Sequence, residues 1–473
     1  MDGLILSYLS YLDMDSLFLT DNTKIRQGEK VPGSITVSFS EAVDAYEKAH
    51  TKEEIARLIP PFNTIPQIAR QAVDTARFGS LTVSDYVNII DAKADEQMCA
   101  MLFWLDEDTV FVSFRGTDST IIGWKEDFSL SYLKETPGQR HAVDYLNHVL
   151  GPLCGNDDLK VYVGGHSKGG NLAVYSSAFA KKKVRDRIVQ IFANDAPGFM
   201  PGIVQRAEYR SMIPKIRNIL PDSSIIGGLL HLLADRTVIA SSEFGLMQHD
   251  ALSWQVLGNA FVRAERSDLG RFFDESLQSW IGGLKEMELK AFTDALFDLL
   301  GAGGAKTVNE IRQDPLKTIS EMMKITKTMD PKQKQEFNDV VLRLVKSSFA
   351  ALKEQGGEKA VLLKDQSEKT VSNLWEQSGK TVANLWGQGE KMLTALRAEF
   401  EKLTKKTETE PKGAAGASPE TESPGMKETV SEGITCEKPQ TETSELEAPI
   451  SPPEQKRLSM RKKRNAKQRK PQV

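Results

Sequence analysis

Apolar and polar positions follow two different rhythms along this chain, and the changes between them mark its parts. The first stretch is helical in period. Leu4, Ile5, Tyr8, Leu9 and Leu12 share one helical face, and Phe39, Ala42, Val43 and Tyr46 share another. Thr51 and Glu54 stand at the spacing of a capping box that opens a third helix, and 67–78 reads as a fourth. From Leu81 the period shortens to two. Residues 83–90, 98–105 and 109–114 read as consecutive strands, with Asp106-Glu107-Asp108 as the turn between the last two. Strand and helix then alternate. A helix is predicted over 136–150, a strand over 160–163, a helix from Asn171 to Lys181, and strands over 188–193, 215–220 and 236–240. An antiparallel start followed by this alternation predicts an α/β fold, a mostly parallel sheet covered by helices on both faces.

The strand rhythm stops near Ser267. Phe272, Phe273, Leu277, Trp280, Ile281 and Leu284, then Leu296, Phe297, Leu299 and Leu300, mark amphipathic helices that Gly301-Ala302-Gly303-Gly304 interrupts. Further on, 366–376, 377–387 and 388–398 repeat one pattern with a period of 11 residues. That period is close to 3.67 residues per turn, so the apolar stripe hardly drifts round a helix. Val371, Leu374, Trp375, Val382, Leu385, Trp386, Leu393, Leu396 and Phe400 form the stripe. It suits a right-handed coiled coil, a helix lying at a lipid surface, or a helix packed on its own protein; periodicity does not separate the three. The expected division is 1–265 for the sheet domain, 266–355 for a helical appendage, 356–404 for the repeat helix and 405–473 for a disordered tail. Residues 407–450 are rich in Glu, Thr, Ser and Pro and hold too little apolar surface to fold, and 456–470 is basic.

Composition narrows the class. The chain has 473 residues, 40% of them hydrophobic, with a formal net charge of −4, which gives no reason to expect a nucleic-acid site. The partners expected are a small-molecule or lipid acyl substrate, a membrane surface for 366–400 and an anionic partner for 456–470. Three widely spaced cysteines form neither a disulfide framework nor a metal pattern. No apolar run approaches the ~18 residues of a membrane span, and the first residues lack the basic region of a signal peptide, so a cytoplasmic protein is expected, with a peripheral place at a membrane surface as the alternative.

The chemistry concentrates at Val163-Gly164-Gly165-His166-Ser167-Lys168-Gly169-Gly170-Asn171. A strand that turns into a helix over so few residues bends sharply, and Gly165-x-Ser167-x-Gly169 is the pattern that permits it. Such a turn lifts the Ser167 hydroxyl clear of the sheet and sets the Lys168 N–H at a helix mouth, where an oxyanion is favoured. A serine needs a base and a group to orient it. Of six histidines, His249 follows the last strand in a loop and is preferred over His231, which sits in an apolar run. Two acids follow strands between serine and histidine. Asp222 fits the usual chain order and is preferred, with Asp195 the second choice. Thr117, after Phe114-Arg115-Gly116, is the candidate for a second oxyanion donor. No metal or organic cofactor is called for.

Phe114-Arg115-Gly116-Thr117, the Gly165-His166-Ser167-x-Gly169-Gly170 elbow, and Asp222 and His249 in that order resemble the class 3 lipases. The longer string from Gly165 to Ala173 more closely resembles the Mbeg-like family of bacterial α/β-hydrolases. The resemblance covers about residues 1–300. It implies an α/β-hydrolase fold, a Ser–Asp–His triad and an oxyanion contact from Thr117. Lys168 departs from the apolar residue usual after the lipase serine. Its side chain is expected either to bind an acyl group carrying negative charge or to pair with a nearby carboxylate. The expected activity is hydrolysis of a carboxylic ester or thioester; an acyltransferase, and a vestigial scaffold that binds membrane or protein, are the alternatives.

Overall fold

The computed structural model describes residues 1–18, 35–58, 62–243, 245–301, 304–313, 321, 324–325, 329–340 and 343. The 11-residue repeats, the basic tail and the last part of the helical appendage lie outside the described residues.

The core is one eight-stranded sheet whose strands lie in chain order. β1 (Thr36–Ser38), β2 (Thr82–Asp91), β3 (Glu96–Trp104) and β4 (Thr109–Phe114) are antiparallel neighbours. β4 then pairs in parallel with β5 (Lys160–His166), followed by β6 (Ile188–Asn194), β7 (Ile216–Pro221) and β8 (Arg236–Ile239), all parallel. Strict alternation sorts the side chains. Met98, Ala100, Leu102, Val110, Val112 and Phe114 enter one core, while Cys99, Met101, Phe103 and Phe111 enter the other.

The order of the strands explains what covers each face. Parallel strands that follow one another in sequence, joined by right-handed crossovers, place every connecting helix on the same side. That side carries α5 (Pro137–Leu150), α6 (Lys168–Phe179) and α7 (Ala207–Met212), through Tyr145, Leu146, Leu172 and Tyr209. The opposite face would stay wet without a second source of helix. It is covered by α1 (Asp2–Leu9), α2 (Phe39–Ala49) and α3 (Ile65–Val73), with Leu6, Leu9, Phe39, Val43 and Ile65 buried there. The α/β fold with both faces covered is therefore present, as the α/β-hydrolase class requires.

Some elements differ from expectation. The first helix ends at Leu9, and the helix predicted over 67–78 runs from Ile65 to Val73. α4 (Ile121–Ser129), between β4 and α5, has no counterpart in the sequence reading. Thr120 caps it by accepting from Gly123 N. Beyond the sheet, α8 (Asp268–Gly282) and α9 (Glu286–Leu300) form a small core of their own around Trp280 and Phe292. α9 packs on α4 through Phe297 against Phe128. No described helix is long and apolar enough to cross a membrane.

Candidate active site

One residue, Ser167, separates the end of β5 from the start of α6. It takes φ 58°, ψ −133°, a conformation that costs a non-glycine residue about 1–3 kcal/mol. The surrounding backbone holds it there: Ser167 N donates to Asn194 O at 3.0 Å, and Asn194 Nδ2 donates to Gly165 O at 3.0 Å. Side chains are excluded on both sides. A Cβ at Gly165 would stand 2.1 Å from the Gly169 carbonyl carbon, and one at Gly169 would stand 2.1 Å from Phe114 O. The G-x-S-x-G spacing is therefore a packing requirement between the elbow and the end of β4.

His249 closes the 3₁₀ turn Gly245–His249 after β8. Its Nδ1 lies 2.7 Å from Asp195 Oδ2. Asp195 is buried, at φ 46°, and its Oδ1 accepts from Gly227 N at 3.1 Å and from the Ser224 hydroxyl. Both carboxylate oxygens are thus engaged, one by the imidazole and the other by two donors. Asp222, preferred from sequence, is not the partner of His249. Its Oδ1 accepts from Gln248 Nε2 at 2.7 Å and from Ser223 Oγ at 3.0 Å, so it orients the residue before the histidine. The reason is strand order. Asp195 ends β6, the neighbour of the elbow strand; Asp222 ends β7, one strand further, or another ~4.8 Å away.

The opposite layer reaches into the same place. His166, in the elbow itself, is buried, and its Nε2 lies 2.8 Å from the His249 carbonyl oxygen. Burial, reinforced by His249, holds its pKa well below the ordinary imidazole value, so the ring is neutral. A carbonyl only accepts, so the proton sits on Nε2, and Nδ1 accepts from Tyr11 OH at 3.2 Å. Tyr8 accepts from Ala251 N and donates to Asp250 Oδ1, and Trp254 Nε1 donates to Gln248 O at 2.8 Å. Sequence analysis assigns His166, Tyr8 and Tyr11 no role here. Tyr8 lies on the predicted helical face, but the pattern does not say what that face meets, and Tyr11 and His166 carry no such local signal.

β4 and β5 run in parallel with Phe114 opposite Gly165, so Thr117 and Lys168, each three residues on, leave the same edge side by side. Lys168 is the first residue of α6, and its N–H has no acceptor within the helix. Its side chain is buried, with Nζ 3.2 Å from Glu126 Oε2 and 3.7 Å from Asp127 Oδ1. Of the two expectations for this lysine, pairing with a carboxylate is the one the geometry matches; a sequestered ammonium has no access to an acyl group. Glu126, fully buried, also accepts from Gln97 N and Gly138 N. The Thr117 hydroxyl donates to Asp127 Oδ2. Burial pushes the Asp127 carboxyl up to about 6, with the Lys168 charge acting against it. Arg115 is buried and bound to Asn88 Oδ1 at 2.8 Å, with Asp118 Oδ2 at 3.5 Å, and so braces this loop.

The other histidines stand elsewhere. His50 stacks on Tyr46, His141 contacts Glu96, and His231 joins the Asp195 loop through main-chain bonds to Phe199. Among the described residues no group of three or more His, Cys, Asp or Glu is placed to hold a metal. A cavity of about 320 Å³ opens beside the loop after β4, between Tyr11, Tyr46, Ile55, Phe62, Arg115 and Asp118.

The comparisons with known proteins fit this picture at the level of family. No curated protein sequence matches the chain. Among solved structures, the crystal structure of M37 lipase matches at 14% identity, with 47% of this chain and 68% of that one covered and a TM-score of 0.28. That likeness is too distant to speak to activity. Residues 72–298, which run from the end of α3 through the elbow and the histidine loop to α9, match the family model described as Mbeg1-like.

Proposed function

We propose that this protein is a serine hydrolase that cleaves a carboxylic ester or thioester through an acyl-enzyme. The observation that carries the reading is the strained Ser167 at the strand–helix turn, combined with a histidine oriented by a buried carboxylate on the adjacent strand. Asp195 accepts the Nδ1 proton of His249, which leaves Nε2 unprotonated as the base. In the reaction, His249 Nε2 takes the Ser167 hydroxyl proton as Oγ attacks the acyl carbon. The tetrahedral oxyanion is met by the N–H groups of Lys168 and Thr117. The imidazolium then protonates the departing alkoxide or thiolate. Water, deprotonated by the same nitrogen, releases the acid and restores the serine. The Thr117 hydroxyl is given to Asp127, so its main-chain N–H is the donor assigned here. A small-molecule or lipid acyl group is the proposed substrate, and none of these steps calls on a metal or organic cofactor.

Labelling with a fluorophosphonate probe tests the reading. The wild-type protein is expected to label, Ser167→Ala to lose labelling entirely and His249→Ala to lose most of it. A folded wild type that fails to label, or labelling that persists in Ser167→Ala, refutes the assignment and leaves a scaffold whose elbow no longer does chemistry.

A further inference from the structure

We infer that His166 is a positioning residue: through it, the turn that carries the nucleophile grips the main chain of the loop that carries the base. This rests on the proposed roles of Ser167 and His249. The loop has little regular structure of its own. It leaves β8, makes two short 3₁₀ turns, Gly245–His249 and Ala251–Ser253, and returns through Trp254. A base presented this way keeps its place only if the backbone beside it is held. Two successive carbonyls and one amide are held. Gln248 O accepts from Trp254, His249 O from His166, and Ala251 N donates to Tyr8. Of the three, only the His166 bond connects the loop directly to the residue next to Ser167. It spans 83 positions of sequence and ties nucleophile to base without passing through the rest of the sheet.

The clamp is directional. Because the ring is buried and neutral, it has one proton to give, and Tyr11 OH, by donating to Nδ1, keeps that proton on Nε2. In the other tautomer two acceptors would face each other and the bond to His249 O would be lost. The two imidazoles also pack with centroids 4.5 Å apart and planes inclined by 34°, so His166 forms one wall of the space in which the catalytic ring turns. An uncharged wall serves there, because a second imidazolium would oppose the charge that His249 takes up during attack.

The test uses the full-length protein and the variants His166→Gln, His166→Leu and Tyr11→Phe. Glutamine places an N–H near the position of Nε2; leucine removes the donor. Hydrogen exchange of the 245–253 amides reports the clamp without needing activity, and fluorophosphonate labelling reports its use. His166→Leu is expected to raise exchange in that segment and to lower kinact about 10- to 100-fold with little change in KI, the scale of a base displaced by about 1 Å. His166→Gln should recover most of both, and Tyr11→Phe should fall between. Unchanged exchange in His166→Leu, or a glutamine variant as impaired as leucine, overturns the inference. Raised exchange together with labelling that survives Ser167→Ala instead refutes the hydrolase reading and, with it, the catalytic use of the clamp.

Discussion

Replacing Asp195 by asparagine separates two accounts of the acid, because the change is nearly isosteric and its consequence follows from the hydrogen bonds. Oδ1 accepts from Gly227 N and from the Ser224 hydroxyl, and Oδ2 from His249 Nδ1. An amide has one acceptor oxygen where the carboxylate has two. The Ser224 hydroxyl can rotate away, but the Gly227 N–H is fixed by its backbone. The amide oxygen is therefore expected on the Gly227 side, which points the NH₂ group at His249. Facing a donor, Nδ1 must become the acceptor, and the ring's proton moves to Nε2, the nitrogen proposed to accept from Ser167. Loss of the correct tautomer in a serine triad costs about 10⁴ in rate, or about 5 kcal/mol of barrier. Asp222→Asn perturbs the site one residue removed. Its Oδ1 accepts from Gln248 and Ser223, and an asparagine oxygen accepts from the same donors. A loss below about tenfold is expected there. The assay is the second-order rate of fluorophosphonate labelling, or of hydrolysis of an activated ester, for both variants at pH 8, with melting temperatures as the check on folding. A loss in Asp222→Asn equal to or larger than that in Asp195→Asn refutes the argument.

Three other perturbations follow from buried charge and close packing. Lys168→Met leaves Glu126 without its cation at a fully buried site. Breaking such a pair costs about 3–5 kcal/mol, and because Gln97 N and Gly138 N still serve the carboxylate the lower figure is expected, read as a clear fall in the denaturant midpoint; an unchanged midpoint refutes it. Asp127 has a folded pKa of about 6 against 3.8 for a free aspartate, so between those values the native state holds a proton that the unfolded chain has released, and its contribution to stability falls as pH rises through that window. Asp127→Asn should therefore gain stability relative to the wild type from pH 4 to pH 7, by up to about 3 kcal/mol, read as a growing difference in melting temperature; a gain that shrinks with pH contradicts the sign. Gly169→Ala should abolish soluble expression, since its Cβ would meet Phe114 O at 2.1 Å, whereas Gly202→Ala, with nothing within 4 Å, should shift stability by less than about 1 kcal/mol.

What the sequence revealed depended on distance along the chain. The period of two over 98–105 is local, and the strand it predicts is present as β3, with 98, 100 and 102 in one core and 99, 101 and 103 in the other. The elbow is local too, since strand, glycines and helix all lie within a dozen residues. The partner of His249 is not. Choosing between Asp195 and Asp222 requires knowing which strand lies beside β5, and lateral order has no signature in a strand's own pattern. α4 escaped notice for a different reason. Gly123 interrupts Ile121-Ile122-Gly123-Trp124-Lys125-Glu126-Asp127-Phe128, and its charges imply a solvent face, whereas Glu126 is fully buried against Lys168 and Phe128 packs on Phe297. Charged residues report burial only once their partners are known.

The family match begins at residue 72, yet the support for the histidine loop begins at Tyr8. That difference follows from the topology. A sheet with strands in chain order sends its connecting helices to one face, so the other face must be covered by something outside the β–α alternation, and here it is α1, α2 and α3. The loop from β8 returns on that second face, where Trp254 and Ala251 join the same buried cluster as Tyr8, Tyr11 and Phe39. The N-terminal helices thus do two jobs with one surface. Their apolar side completes the core, while Tyr8 on α1 reaches the main chain beside His249 and Tyr11, in the turn after α1, reaches the histidine beside Ser167. The geometry around Ser167 therefore belongs to the whole described sheet domain, and a segment that starts at residue 72 carries Ser167, Asp195 and His249 without the tyrosines that reach the main chain beside His249 and the ring of His166.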